Sequence, residues 1–413
     1  MRFSPDLAGM MFAASGTPRN NEVMRCGFAL NEDVDIARLQ QAVEDLYPRF
    51  PSFYLSLRRG FFQDFLEPLT HCNIIRPDDS QPCRPMPFAK HEPLLRILHG
   101  KRRITVELSH VLTDGGGALV FVQTLLARYL QLGGADMTHS DLPALDESPR
   151  PSELVDSYRA SFTKQRGKPP TDRLACQYYQ YRAPKTKDYI GVMHGEIPVG
   201  DALAQAKAHG LTLTDYLMAV YFYAFCQADP RARRSRKPIQ LTIPVSLRKY
   251  YQSESLRNFS LYANMLLHPR ARENYTLEDV IEAMHNQLAA ASTKKEMHRR
   301  LCANVAMADN QFVRCVPNAL KRRVIRLGHH MLGEGTSALS NLGAIALPPC
   351  LNEHVTSLEF TVSPSPCCRL QCMVYSCQDV LHIVFSSDTK QTDVQQTFFH
   401  TLQEQGLTVE VFS

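Results

Sequence analysis

The chain has 413 residues, 44% of them hydrophobic and 21% charged, a composition that excludes disordered and fibrous classes and describes a folded globular protein. Its length exceeds what one hydrophobic core usually organises, so two lobes are expected. A formal charge of +5 is modest for this size and calls for no nucleic-acid partner.

The chain starts Met1-Arg2-Phe3-Ser4-Pro5-Asp6, without the basic start and apolar core of a signal peptide. An early strand is expected from Met24 to Leu30, then a helix with Ile36, Leu39, Val43 and Leu46 on one face, stopped by Pro48. The runs 53–57 and 61–65 flank Arg58-Arg59-Gly60 and read as a hairpin. Residues 68–93, rich in proline and charge, read as an irregular excursion.

The most informative run follows. Arg103-Ile104-Thr105-Val106-Glu107-Leu108 alternates polar and apolar residues like a strand. It leads into Ser109-His110-Val111-Leu112-Thr113-Asp114-Gly115-Gly116-Gly117 and then an apolar helix to Leu132, ended by Gly133-Gly134. Ile104, Val106, Leu108 and His110 share one parity, so a continued strand points the imidazole into an interior. A lone inward histidine is usually a satisfied core residue. One delivered at a strand end before a glycine turn is also placed to act as a general base.

Residues 134–190 carry few periodic apolar stretches and six prolines (Pro143, Pro149, Pro151, Pro169, Pro170, Pro184), with one helix expected near Ser152 to Phe162. The expected organisation is a first lobe over 1–165, a connecting segment over 166–188 and a second lobe over 189–413. In the second lobe, strands are expected at Tyr189–Ile197, Ile239–Val245, Asn258–Leu267, Ala338–Leu347, Ser357–Val362, Leu370–Ser376 and Leu381–Ser386. Helices are expected from the opening run Gly210-Leu211-Thr212-Leu213-Thr214 through Phe225, at Thr276–Ala291, at about Lys294–Ala308 and at Asp393–Glu404. Strands and helices mix throughout, as in an α/β or α+β architecture.

Even the longest apolar runs, such as Tyr216 to Phe225, are too short to cross a bilayer, so no membrane span and a cytoplasmic location are expected. The 12 cysteines then read as reduced thiols. Cys367, Cys368, Cys372 and Cys377 cluster at strand-like spacing without a Cys-x-x-Cys pair, and no metal site is expected. The sequence lacks a Gly-x-Ser-x-Gly elbow, a His-Glu-x-x-His helix, a phosphate-binding Gly-rich loop with Lys-Ser/Thr, and Gly-x-Gly-x-x-Gly after a strand, which weakens hydrolase, metalloprotease, nucleotide-hydrolase and dehydrogenase readings.

The Ser-His-Val-Leu-Thr-Asp-Gly run resembles the His-x-x-x-Asp-Gly motif of the chloramphenicol acetyltransferase-like superfamily, which takes in alcohol acetyltransferases, wax ester synthases, plant acyltransferases and the condensation domains of peptide synthetases. Three more segments fit in order. Pro244-Val245-Ser246-Leu247-Arg248 resembles the Pro-Val-x-Leu-Arg segment of alcohol acetyltransferases. Arg257-Asn258-Phe259 with Asn264 is similar to the Asn-Phe…Asn stretch after it, and Ser340-Asn341-Leu342-Gly343 to the Ser-Asn-x-Gly segment of the C-terminal lobe. Ser109 departs from the doubled histidine of condensation domains and wax synthases. The chain has no tryptophan, so the Asp-Phe-Gly-Trp-Gly signature of plant acyltransferases is absent. A stand-alone alcohol acetyltransferase-like enzyme fits best.

The resemblance implies a two-lobed fold, each lobe a mixed sheet flanked by helices, with an active-site tunnel between them. It implies that His110 is the general base of direct acyl transfer from acyl-CoA to a hydroxyl or amine, without a covalent enzyme intermediate. Acyl-CoA is then a co-substrate, and no cofactor is permanently bound. Asp114 would pair with Arg248 to brace the loop that carries His110, with Gly115 completing the motif. Asn264, Ser340 and Asn341 are supporting candidates for oxyanion donors, though Asn and Ser near strand ends commonly make turns. The basic runs 231–237 and 321–323 are candidate contacts for coenzyme A phosphates, with solvated faces the commoner explanation. Two alternatives stay open: a condensation-like enzyme taking a carrier-protein thioester, and a non-catalytic binding protein on the same fold. The reading assigns no oligomeric state.

Overall fold

The structure, a computed structural model, describes residues 3–17, 22–69, 74–79, 81–137, 141–164, 178–186, 189–272, 274–332, 335–365 and 368–412, with backbone only over 328–332. The first strands in chain order are β1 (Val23–Leu30), β2 (Leu55–Arg58), β3 (Phe65–Pro68), β4 (Ile75–Pro77), β5 (Leu95–His99), β6 (Arg103–Ser109) and β7 (Gly191–Pro198). They are followed by β8 (Ile239–Ser246), β9 (Ser260–Leu267), β10 (Ser337–Ala344), β11 (Val355–Val362), β12 (Leu370–Cys377), β13 (Val380–Ser387) and β14 (Glu410–Phe412).

Two sheets organise these strands. The first has the order β11-β1-β6-β5-β4 and the second β14-β7-β13-β12-β10-β8-β9, while β2 and β3 pair as a separate hairpin. The first sheet is antiparallel except where β4 runs parallel to β5. The second is antiparallel except around β10, which runs parallel to both β8 and β12. The architecture is therefore mixed α/β with two sheet-containing lobes, as the resemblance implied.

Helices cover the sheets because their apolar residues recur at helical spacing. In Ile36–Leu46, Asp35 caps the first turn by accepting from the Arg38 N–H, and Leu39, Ala42, Val43 and Leu46 are buried while Ile36 is exposed. The second-lobe helix Leu213–Ala228 is apolar nearly all round, and ten of its residues are buried, because it lies between the sheet and the helices Leu277–Met284 and Asp393–Glu404. Each lobe has its own core. A smaller third cluster, with Leu7, Tyr158, Val245, Leu247, Phe259 and Leu261, forms where the chain's start meets the end of β8 and the start of β9.

Several elements differ from expectation. The hairpin is shifted: Leu57 pairs with Leu66, and Phe53 leaves the strand to stack on Phe121 at 4.6 Å between ring centroids. Phe61 and Phe62 consequently fall in the connecting loop and are exposed. The helix expected over 276–291 breaks at Asn286, whose φ of 63° is left-handed, into Leu277–Met284 and Gln287–Ala291. The helix expected at 152–162 is two single turns, Pro151–Leu154 and Ser157–Ala160. Helices Leu7–Ser15, Val199–Ala208 and Asn318–Leu332 were not expected. β11 lies in the stretch expected as the second lobe, yet pairs antiparallel with β1 from Met24 to Leu30 and forms the edge of the first sheet. Most of the expected connecting segment 166–188 lies outside the described residues.

Candidate active site

β6 runs through the interior of the first sheet between β1 and β5 and carries the chain to His110. Both of its faces are buried, the polar positions Thr105 and Glu107 as well as the apolar ones. Glu107, on the polar face, is sealed by Arg96 Nη2 at 2.6 Å, Arg25 Nη1 at 3.2 Å and the Cys83 N–H at 2.6 Å. A buried carboxylate held by two guanidinium groups and a backbone donor satisfies its charge without solvent. The strand ladder ends at Ser109, which is buried, and the His110 N–H bonds to the Glu22 carbonyl at 2.9 Å.

Beyond the ladder, the imidazole is held by two residues from distant parts of the chain. Phe12, on the N-terminal helix Leu7–Ser15, stacks on it with ring centroids 4.2 Å apart and planes at 25°. That helix approaches closely because Gly9 lies against the His110 turn: a Cβ there would come within 2.6 Å of the Val111 carbonyl oxygen. On the other side, His110 Nδ1 is 3.1 Å from Asn258 Oδ1.

The orientation of the Asn258 amide follows from its other contacts. Its Nδ2 donates to the His110 carbonyl at 3.1 Å and to Asp6 Oδ2 at 3.3 Å. Both partners only accept, so a flipped amide would set its oxygen against a carbonyl and a carboxylate. Oδ1 therefore faces the ring and accepts from Nδ1–H, leaving the lone pair on Nε2. Among the described residues no side chain bonds to Nε2, and the backbone of His110 itself and of Thr113 also bonds to the ring and favours its protonated form. Burial pushes the His110 imidazole below its ordinary 6.5, a shift that Asp114 and the Asn258 contact oppose. The ring is thus neutral at neutral pH.

Asp6 is itself fully buried at the cap of the N-terminal helix. Its Oδ1 accepts from the Gly9 N–H at 2.7 Å, its Oδ2 from the Asn258 N–H at 3.1 Å, and Arg257 Nε lies 3.7 Å away. Burial raises its carboxyl to about 6 against the pull of Arg257.

Asp114 caps the helix Gly115–Leu132 and ties the lobes together. Its Oδ1 accepts from the Gly117 N–H at 3.2 Å, and its Oδ2 lies 2.7 Å from Arg248 Nη1 and 2.8 Å from the Phe259 nitrogen. Arg248 follows directly on β8 and spends its remaining donors on the carbonyls of Ser255 and Arg257. Thr113 Oγ1 donates to the Leu256 carbonyl at 2.6 Å. The glycines admit this approach. A Cβ on Gly117 would lie 2.1 Å from the Leu256 carbonyl oxygen, and one on Gly115 would lie 2.7 Å from Leu342 Cδ2. Gly117 therefore meets rigid backbone, whereas Gly115 meets a movable side chain.

The remaining candidates have other partners. Asn264 Oδ1 accepts from Thr242 Oγ1 at 3.0 Å across β8 and β9. Asn258, six residues earlier and about 20 Å back along an extended chain, is the asparagine that reaches the ring. Asn341 Nδ2 donates to Thr214 Oγ1 at 2.9 Å and its Oδ1 accepts from the Gly343 N–H at 2.8 Å. Ser340 lies on β10 opposite Met373. Leu342 brings this segment to the motif helix's first turn, but the ring's partners are Phe12 and Asn258. Of the basic runs, Arg231 and Lys237 line a groove with Tyr178, Tyr179, Gln180 and Arg182, whereas Lys321 is bonded to the carbonyls of Phe62 and Arg314. Cys368, Cys372 and Cys377 are buried thiols, and Cys367 lies outside the described residues. Among the described residues no cluster of three potential metal ligands occurs.

Sequence reasoning did not single out Asp6, Phe12 or the role of Asn258. The available signal was Pro5-Asp6 ahead of an apolar run, a helix cap. Nothing in the sequence linked it to a histidine about a hundred residues away.

Comparison with solved structures places the fold. Polyketide synthase associated protein 5 from Mycobacterium tuberculosis superposes with a TM-score of 0.62 at 16% identity, over 96% of this chain and 96% of that one. TRI101 of F. sporotrichioides, solved with coenzyme A and T-2, superposes with a TM-score of 0.62 at 11% identity, over 100% of this chain and 99% of its own. The first condensation domain of the CDA synthetase gives 0.60 at 14% identity, over 98% and 96%. The chain therefore shares the two-lobed fold of these structures. No family model matches the sequence, and no curated protein does.

Proposed function

We propose that the protein is an acyltransferase that moves an acyl group from an acyl-CoA thioester to a hydroxyl or amine. The observation that carries this reading is the neutral His110 ring, held at Nδ1 by Asn258. In the reaction, Nε2 takes the acceptor's proton as its oxygen or nitrogen bonds to the thioester carbonyl carbon. The carbon–sulfur bond then breaks, and the thiolate receives the proton from the imidazolium. Such base catalysis contributes about 10²–10⁴-fold. Asp114 and Arg248 hold the turn and need not touch substrate.

The fold likeness to TRI101, solved with coenzyme A, supports a coenzyme A donor. The likeness to condensation domains favours a second donor, a carrier-protein thioester. The test is thiol release from a panel of acyl-CoA donors with alcohol and amine acceptors, run beside an acyl-loaded carrier. Acceptor-dependent release is expected from wild type and a loss of at least about 10²-fold in His110→Ala with an unchanged circular dichroism spectrum. Release that survives this substitution removes His110 as the base, and turnover of the carrier alone replaces the donor.

A further inference from the structure

Two helices absent from the sequence reading, Gln311–Cys315 and Asn318–Leu332, carry an apolar face that no other element covers among the described residues. Leu320, Val324 and Leu327 are each more than half exposed, and their spacing of four and three residues puts them on one stripe. Phe312, on the preceding short helix, is 86% exposed. Phe61 and Phe62 come in from the β2–β3 loop, the first of them 71% exposed. Hydrogen bonds fix that loop to the helix start: the Asn318 N–H donates to the Phe61 carbonyl at 2.6 Å, and Lys321 Nζ to the Phe62 carbonyl at 2.7 Å. Singly scattered apolar residues need no explanation, but six large ones gathered from three segments do.

The charges complete the pattern. Arg322 and Arg326 turn inward, Arg322 toward Asp64 at 3.6 Å and Arg326 onto the carbonyls of Ala14 and Gly16 at 3.1 and 2.5 Å. Arg314 and Arg323 are exposed, and no carboxylate pairs with either among the described residues. From Asn310 to Gly333 the sequence has no Asp or Glu. An apolar stripe flanked by cations without anions matches the interface of an anionic bilayer.

We propose that this face docks the protein on an anionic phospholipid surface, with Phe312, Leu320, Val324 and Leu327 entering the headgroup boundary and Arg314 and Arg323 meeting lipid phosphates. A protein partner would need a cleft shaped to six projecting side chains, whereas a fluid interface accommodates them without shape matching. Arg326 also joins this helix to the N-terminal helix whose Phe12 stacks on His110. The bilayer thus lies one helix away from the imidazole. If the acyltransferase reading holds, substrates dissolved in the bilayer have a short path to it; docking itself does not depend on that reading.

The test is co-sedimentation of the full chain with vesicles of phosphatidylcholine alone or with about one-third phosphatidylserine, at low salt and at about 0.5 M salt. Wild type is expected to pellet with the anionic vesicles at least about tenfold better than with the neutral ones, and less at high salt. The double variant Val324→Asp/Leu327→Asp is expected to lose at least about tenfold of that binding with unchanged thermal melting. Arg314→Glu/Arg323→Glu is expected to lose the preference for the anionic lipid. Wild type that stays in the supernatant with both vesicles, including where it binds an acidic protein instead, overturns the proposal, as does a double Asp variant that pellets like wild type.

Discussion

A histidine serves as a base only through the nitrogen that lacks a proton, so whatever faces its other nitrogen decides whether the site works. Here that partner is a neutral amide, which by itself could donate or accept. The His110 carbonyl and Asp6 remove the ambiguity by taking the amide's N–H groups, so Asn258 turns its oxygen to the ring. In the proposed acyl transfer, Asn258→Ala should therefore lower kcat by about 10- to 100-fold, in the range of a lost supporting contact, with KM changed less than about twofold. Nitrogen NMR of His110 should then report both tautomers. A single unchanged tautomer would sink the idea. The buried Asp6 also leaves a signature in stability. Its carboxyl is raised from 3.8 to about 6 in the folded state, so between those values the folded protein holds more protons than the unfolded chain. Stability from this group is full below about 4 and is lost as pH rises through about 6, by roughly 3 kcal/mol. Asp6→Asn keeps a good helix cap and removes the titration. The difference in urea unfolding free energy between variant and wild type should therefore grow in the variant's favour from pH 4.5 to 7.5, and a pH-independent difference would argue against the buried charge.

At the scale of elements, the site is held by joints between them more than by any one. Gly117 lets the Leu256 carbonyl reach the motif helix, and Asp114 caps that helix while bonding to Arg248 and Phe259. A comparable joint lies next to it, where Glu153, whose carbonyl accepts from the Leu256 N–H at 2.9 Å, meets Arg49 in a bidentate pair at 2.6 and 2.7 Å, both buried. Removing one partner strands the other's charge, so Glu153→Ala should destabilise by about 3–5 kcal/mol in urea unfolding. A loss under about 1 kcal/mol would mean that water reaches Arg49. The strand and helix around His110 were legible because their periodicities are unbroken: residues 103–109 alternate, and the helix to Leu132 has its cap and its glycine stop in the sequence. The β2–β3 register was less legible, because the aromatic run 61–65 suits a strand until Phe53 stacks on Phe121 and leaves the pairing to Leu57 and Leu66.

For the whole molecule, β11 and the Asp114–Arg248 joint cross between the lobes. The chain after β10 gives a strand to the first sheet and then returns through β12 to the second. Neither sheet can be lost without breaking pairs in the segment that serves both. A single cooperative transition is therefore expected, with far-ultraviolet circular dichroism and the near-ultraviolet signal of the 16 tyrosines coinciding in urea. Two separated transitions would show that the lobes are independent. The sequence by itself determined two lobes, their mixed strand and helix content, and the strand-end placement of His110 and Asp114, because these follow from length, local periodicity and turn chemistry. The tertiary structure decided which residues face the imidazole, that β11 changes sheets, and that among the described residues Leu320, Val324 and Leu327 stay exposed. Those outcomes depend on contacts between residues as far apart as Asp6 and Asn258, 252 positions along the chain, and no local pattern encodes such pairings.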